Sequence, residues 1–179
     1  DKLASLGVVI LPQGQTIFLC DTQGAANPSP REIARMTLLA ADQVRRFGNV
    51  PTVALLSHSN YGTAKSTSSN KMRKALALIK QASPELAVDG EMQGDTALDE
   101  AIRQRLFPDA SMAGTANLLV MPTLDAANIT FNVVKTLTGA VSIGPILLGA
   151  AKPAHIVTTA VTSRGIVNIS ALAVVDAQD

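Results

Sequence analysis

The sequence predicts an α/β domain in which a mostly parallel sheet carries helices on both faces, and three observations predict it. Short apolar runs at 52–56, 86–88 and 117–121 each give way to a polar loop and then to a stretch with three- and four-residue apolar spacing. Strands alternating with helices in this way imply parallel pairing under two helical layers. Apolar residues make up 47% of the chain but aromatics only 3%, with no Trp, so the core is built from Ala, Val, Leu and Ile. At 179 residues the chain is long enough to bury such a core without disulfides.

The elements follow in order. Residues 8–11 and 16–20 read as strands joined by Pro12-Gln13-Gly14-Gln15, a loop length suited to an antiparallel hairpin. Ser29-Pro30-Arg31-Glu32 places a capping Ser, a Pro in the first turn and a Glu that completes a capping box. The helix that follows spans 31–47, with Ile33, Met36, Ala40, Val44 and Phe47 inward and Gly48 as its stop. After the strand at 52–56 and the loop at 57–69, the spacing predicts a helix over 70–82, with Met72, Ala75, Leu76 and Ile79 inward. A strand at 86–88, a loop at 89–95 and a helix at 96–106 come next, then a strand at 117–121 and a helix at 126–137. The chain closes with a strand at 140–147, a Gly-Ala-Ala-Lys-Pro loop from Gly149, a short strand at 155–158 and a helix near 163–177.

Composition also excludes classes of function. With 15 basic and 14 acidic residues the net charge is +1, so no global field favours nucleic acid or an anionic membrane. One Tyr and four Phe do not supply a stacking track for single strands. The lone Cys20, in an apolar run, rules out an internal disulfide and a Cys-based zinc site and implies a reducing, cytoplasmic setting. No apolar run reaches the ~20 residues of a membrane span, and the first residues lack the order of a signal peptide.

Ligands of open α/β sheets sit where strand ends meet helix N-termini, which directs attention to 57–69, 89–95, 122–128 and 149–162. Ser57-His58-Ser59-Asn60-Tyr61-Gly62 could cradle a phosphate or carboxylate with its hydroxyls, amide and Gly backbone, or be a plain solvated loop. The order of a Walker loop is missing, as are a Gly-x-Ser-x-Gly elbow and a Gly-x-Gly-x-x-Gly fingerprint. His58 and His155 are far apart and fit hydrogen-bonded loop residues better than metal ligands. Asp89, Glu91 and Asp95 could hold Mg²⁺ or act as paired carboxylates, but Asp95 is read more simply as a helix N-cap.

Five stretches in order resemble the phosphate acetyl/butyryl transferase family: Asn27-Pro28-x-Pro30, Val53 to Ser59, Asp89-Gly90-Glu91-Met92-Gln93-Gly94-Asp95, Asn128 with its helix, and Ile143 to Pro153. Ser57-His58-Ser59-Asn60, Leu124-Asp125-Ala126-Ala127-Asn128 and the ending from Ala171 to Ala177 look more like the version fused to the C-terminus of bacterial NADP-dependent malic enzymes. The resemblance implies an isocitrate/isopropylmalate dehydrogenase-like fold of the phosphotransacetylase type, with two lobes. Residues 1–146 would form the second lobe, and 147–179 would return toward a first lobe outside this chain. The malic enzyme domain, with its NADP and its Mg or Mn, would lie upstream, and no cofactor is expected in this segment.

The active transferases carry a Ser, an Arg and an Asp base after the Lys-Pro pair; laid on Lys152-Pro153 these positions fall on Thr158, Thr159 and Gly165. A thiol of ordinary pKa near ~8.5 needs help to attack at neutral pH. Losing a positioned base typically costs ~10²–10⁴ in rate, and losing an electrostatic clamp ~10²–10³. Arg164 could restore the charge, and Thr158 keeps a hydroxyl. The resemblance therefore implies a non-catalytic domain that binds acetyl-CoA and inhibits an attached malic enzyme allosterically, in a homo-oligomer; the alternative is an active phosphate acetyltransferase. It carries acetyl-CoA contacts onto Ser57, Ser59 and Asn60 after the first parallel strand, and onto Asn128 and Lys135 on the following helix. The remainder are Gly144, Pro145 and Leu148 on the last strand, and Lys152, Pro153, His155, Thr158 and Arg164 on the return.

Overall fold

The computed structural model describes residues 3–157, 159 and 161–178. Among them six strands form a single sheet: β1 (Ala4–Ile10), β2 (Thr16–Cys20), β3 (Thr52–Leu56), β4 (Ala87–Met92), β5 (Leu118–Val120) and β6 (Val141–Leu148). Their spatial order is β4-β3-β5-β2-β1-β6. β4, β3, β5 and β2 pair in parallel, while β1 runs against both β2 and β6. The expected α/β class and the antiparallel first pair therefore hold. The turn between β1 and β2 is closed by the N–H of Leu11 on the carbonyl of Gln15 at 2.8 Å and the N–H of Gly14 on the carbonyl of Leu11 at 2.8 Å.

The helices are α1 (Pro30–Arg46), α2 (Thr67–Ala82), α3 (Gly94–Leu98), α4 (Glu100–Leu106), α5 (Leu124–Thr138) and α6 (Ser163–Asp176). Alternation along the strands divides the core. Leu6, Phe18, Val53, Leu55 and Val120 face α1 and α2, where Ile33, Val44, Met72 and Ile79 meet them. Val9, Leu19, Ala54 and Leu119 face the other way, onto Ala97 of α3 and Ala127 of α5. α1 starts through the expected capping box, with Ser29 accepting from the N–H of Glu32 and the Glu32 carboxylate accepting from the N–H of Ser29.

Five expectations are corrected. α2 begins three residues before the expected start, because Ser66 and Ser69 cap it reciprocally. β4 continues through Met92 instead of yielding to a loop at Asp89, since Asp89 and Glu91 find buried donors. The helix expected over 96–106 is split at Asp99, whose carboxylate accepts the N–H of Ile102 and starts α4. Asp95 lies within α3 and is not its N-cap; that position is Gln93, which makes no side-chain cap. The short strand expected at 155–158 does not form at 155–157, which are irregular, and residue 158 lies outside the described residues.

Candidate functional site

The mouth of the sheet is built first by the loop after β3. Ser59 is only 1% exposed, and its hydroxyl donates to Glu91 Oε1 at 2.8 Å while accepting the N–H of Ala64 at 3.0 Å. The same Oε1 accepts the N–H of Gly62 at 2.9 Å and pairs with Arg73 Nη1 at 2.9 Å. Glu91 is 0% exposed, so it acts as a buried hub that holds the loop down. Asn60 is likewise engaged, donating to Gln93 Oε1 at 3.0 Å and accepting the N–H of Gln93 at 2.7 Å. Ser57 accepts the N–H of Ser59 at 3.3 Å and, with His58, lines an apolar groove of about 610 Å³ between the sheet, α3 and α5.

Asp89 is also occupied. Its Oδ2 accepts from Tyr61 Oη at 3.2 Å and from the N–H groups of Ser111 and Met112 at 3.0 and 3.1 Å. Burial, and then the Asp89 carboxylate, raise the Tyr61 hydroxyl well above its ordinary pKa. Burial first, then the charge of Asp21, also raise the Cys20 thiol, as befits a core residue.

Lys71 is a cation at the mouth that sequence reasoning missed. From the second turn of α2 its Nζ reaches Asn27 Oδ1 at 2.7 Å and the carbonyl of Pro122 at 2.6 Å, tying the helix to two loops. Burial lowers its pKa. On α5, Asn128 donates to the carbonyl of Thr22 at 3.2 Å. Lys135 lies over the Phe131 ring at 5.3 Å and donates to Asn132 at 3.1 Å.

The return from β6 is built differently. Gly144, at φ +116° before Pro145, sits where the β1–β6 register shifts, and a Cβ there would lie 2.8 Å from the Leu6 carbonyl. Pro145, Leu147 and Ile156 line a cleft of about 220 Å³ against Ser5 and Gly24. Leu148, Lys152, Pro153 and His155 come together in a neighbouring cleft of about 370 Å³, whose far wall is Gln43 and Arg46 of α1 with Asp176 of α6. His155 accepts the N–H of Leu147 on Nδ1 at 3.3 Å, and its Nε2 lies 3.3 Å from Asp176 Oδ2, close but not aligned as a hydrogen bond.

Arg164 and Thr159 are exposed, and Gly165 stands in the first turn of α6, where its N–H donates to Thr162 Oγ1 at 3.1 Å. Thr158 lies outside the described residues. The structure thus gathers Leu148, Lys152, Pro153 and His155, puts Pro145 beside them, and assigns Ser59 and Asn60 to holding their own loop. Gln43, Arg46 and Asp176 were not foreseen. The available signal was that Asp176 and Arg164 are the charged residues of an otherwise uncharged last helix.

A family model described as phosphate acetyl/butaryl transferase matches residues 1–174. An NAD-dependent malic enzyme of Rhizobium meliloti is 54% identical over 97% of this chain, and an NADP-dependent malic enzyme of Escherichia coli is 50% identical over 97%. The chain spans only 22% and 23% of those proteins. A phosphate acetyltransferase of Paracoccus denitrificans is 45% identical over 89% of the chain, which covers 50% of it. Among solved structures, a phosphotransacetylase from Streptococcus pyogenes superposes with a TM-score of 0.95 at 26% identity, over 99% of this chain and 54% of that one. The EutD phosphotransacetylase from Staphylococcus aureus superposes with a TM-score of 0.89 at 27% identity and the same coverage. By sequence over nearly its whole length and by fold, the chain belongs to the phosphate acetyl/butyryl transferase family.

Proposed function

We propose that this chain is the second lobe of a phosphotransacetylase-like regulatory domain within a malic enzyme polypeptide, and that it binds acetyl-CoA without turning it over. One observation carries the reading. Lys152-Pro153 is kept, while the family's Arg and Asp positions hold Thr159 and Gly165, neither of which offers a cation or a carboxylate. Binding asks for a lined cleft and a few anchors, whereas acyl transfer to a thiol also asks for a base. The cleft shared by Leu148, Lys152, Pro153 and His155 answers the first need.

The malic enzyme relatives, of which this segment is a fifth to a quarter, support the attachment to an oxidoreductase. They include NAD- and NADP-dependent proteins; on this reading the coenzyme, with its Mg or Mn, would be held by the part of the polypeptide outside this chain. Residues 147–179 would complete the ligand cleft against a first lobe, and acetyl-CoA closing that cleft in a cytoplasmic homo-oligomer would lower malate oxidation. On a longer protein carrying both lobes, acetyl-CoA at 100 times its Kd should raise stability by about 2.7 kcal/mol and shift the thermal midpoint upward. An unmoved midpoint at saturating ligand sinks the reading.

A second reading, an active acetyltransferase, draws on Arg164 and on the Paracoccus relative. It requires a carboxylate base supplied from elsewhere.

A further inference from the structure

The cleft that gathers Leu148, Lys152, Pro153 and His155 is closed at one end by groups from three separate elements. Arg46, at the last turn of α1, donates from Nη1 to Asp176 Oδ1 at 3.0 Å. Asp176, at the last turn of α6, presents its other oxygen to His155 Nε2 at 3.3 Å. His155 takes the N–H of Leu147 on Nδ1, which turns its other ring nitrogen, Nε2, toward Asp176. The His155 side chain is only 2% exposed and Asp176 11%, so this row is shielded, while Arg46 at 43% keeps one side in water.

Within this chain, the helix that carries Asp176 is otherwise lightly seated. α6 buries Ile169, with Leu172 packed partly against the same core, and turns Val167 and Val174 outward. An element held by so few apolar contacts opens at low free energy, and its polar anchor then decides where it rests. The exposed loop 149–154 is returned to β6 by the N–H of Leu147 on His155 Nδ1, and the same ring faces Asp176 with its other nitrogen.

We propose that Arg46 and Asp176 are positioning residues for the ligand loop. Neither is assigned a contact with the ligand. Docking of α6 through Arg46–Asp176–His155 sets the shape of the cleft, and undocking releases Lys152 and Pro153 together with the helix. The seat of α6 and the affinity of the cleft are then two readings of one equilibrium, and anything that lifts α6 weakens the ligand. This rests on the reading of the cleft as an acetyl-CoA site.

The test uses the full-length protein as wild type, D176N, R46M, the D176N/R46M double variant and the conservative R46K. Acetyl-CoA affinity is measured by titration calorimetry, and hydrogen exchange is followed in peptides covering 144–157 and 163–176. The single variants should weaken acetyl-CoA binding by about 5- to 30-fold, within the range of a typical coupling, with the double variant no weaker than the worse single. R46K should retain most of the affinity, and exchange should quicken in both peptides of D176N. Affinity within twofold of wild type in D176N and R46M, or additive losses, would overturn the proposal, as would unchanged exchange. If wild type binds no acetyl-CoA, the functional reading fails, and the exchange arm alone still decides whether Asp176 holds the loop.

Discussion

The loop after β3 and the return after β6 leave the same end of the sheet, yet one is anchored by a buried carboxylate and the other by a partly exposed pair. In the first, the Glu91 carboxylate gathers Ser59, Gly62 and Arg73 within 2.9 Å, and little of the loop's polar chemistry is left to offer a ligand. In the second, residues 149–154 are exposed and the return is tied back through His155 and Asp176. The contrast teaches that a run of hydroxyls and amides marks capacity for hydrogen bonding, not its direction. The rigid loop shapes the mouth, and the loosely held return carries the residues that would meet acetyl-CoA, in keeping with the low local stability of ligand-binding loops.

The largest expected effect lies in the rigid region. Glu91→Ala removes the acceptor shared by Arg73, Ser59 and the N–H of Gly62, and should cost about 3–5 kcal/mol in urea unfolding. Arg164→Ala in the return should stay within about 0.5 kcal/mol. Equal losses would erase the distinction between the regions. Gly144→Ala should cost about 1–3 kcal/mol, because its φ of +116° and the Leu6 carbonyl 2.8 Å from a Cβ leave no room to relax. Gly139→Ala, at φ +62° with open space around it, should cost less, about 1–2 kcal/mol. Asp176→Asn should lower stability by under about 1 kcal/mol, since its Arg46 partner is half in water, even while ligand affinity falls.

The smallest effect is seen in alkali. The folded Tyr61 has a pKa above its unfolded value of about 10, so its contribution is fully present below that pH and is lost as pH rises through the folded value. Tyr61→Phe should therefore flatten the fall in stability measured by urea unfolding between pH 9 and pH 11. An unchanged slope would detach Tyr61 from that fall.

Much of the fold was legible because local signals agreed. Ser29 and Glu32 announced α1, and the apolar run of β3 was found to the residue. What escaped notice was buried polarity. Asp89 and Glu91 read as a loop because charges disfavour a strand, until the amides of Met112 and Gly62 are seen to meet them. Arg103, within the helix expected over 96–106, is 0% exposed, with its guanidinium on the carbonyls of Thr96, Met112 and Gly114. The site was half legible: resemblance pointed to Lys152, Pro153 and His155, whereas Arg46 and Asp176 lie 130 residues apart and carry no shared motif.

The central claim is binding without turnover, and it is tested most directly by mixing acetyl phosphate and CoA with the full-length wild-type protein and following acetyl-CoA formation. Thr159 and Gly165 predict no rate above the uncatalysed background. Saturable turnover would contradict it and would require a base that this chain does not supply at Gly165.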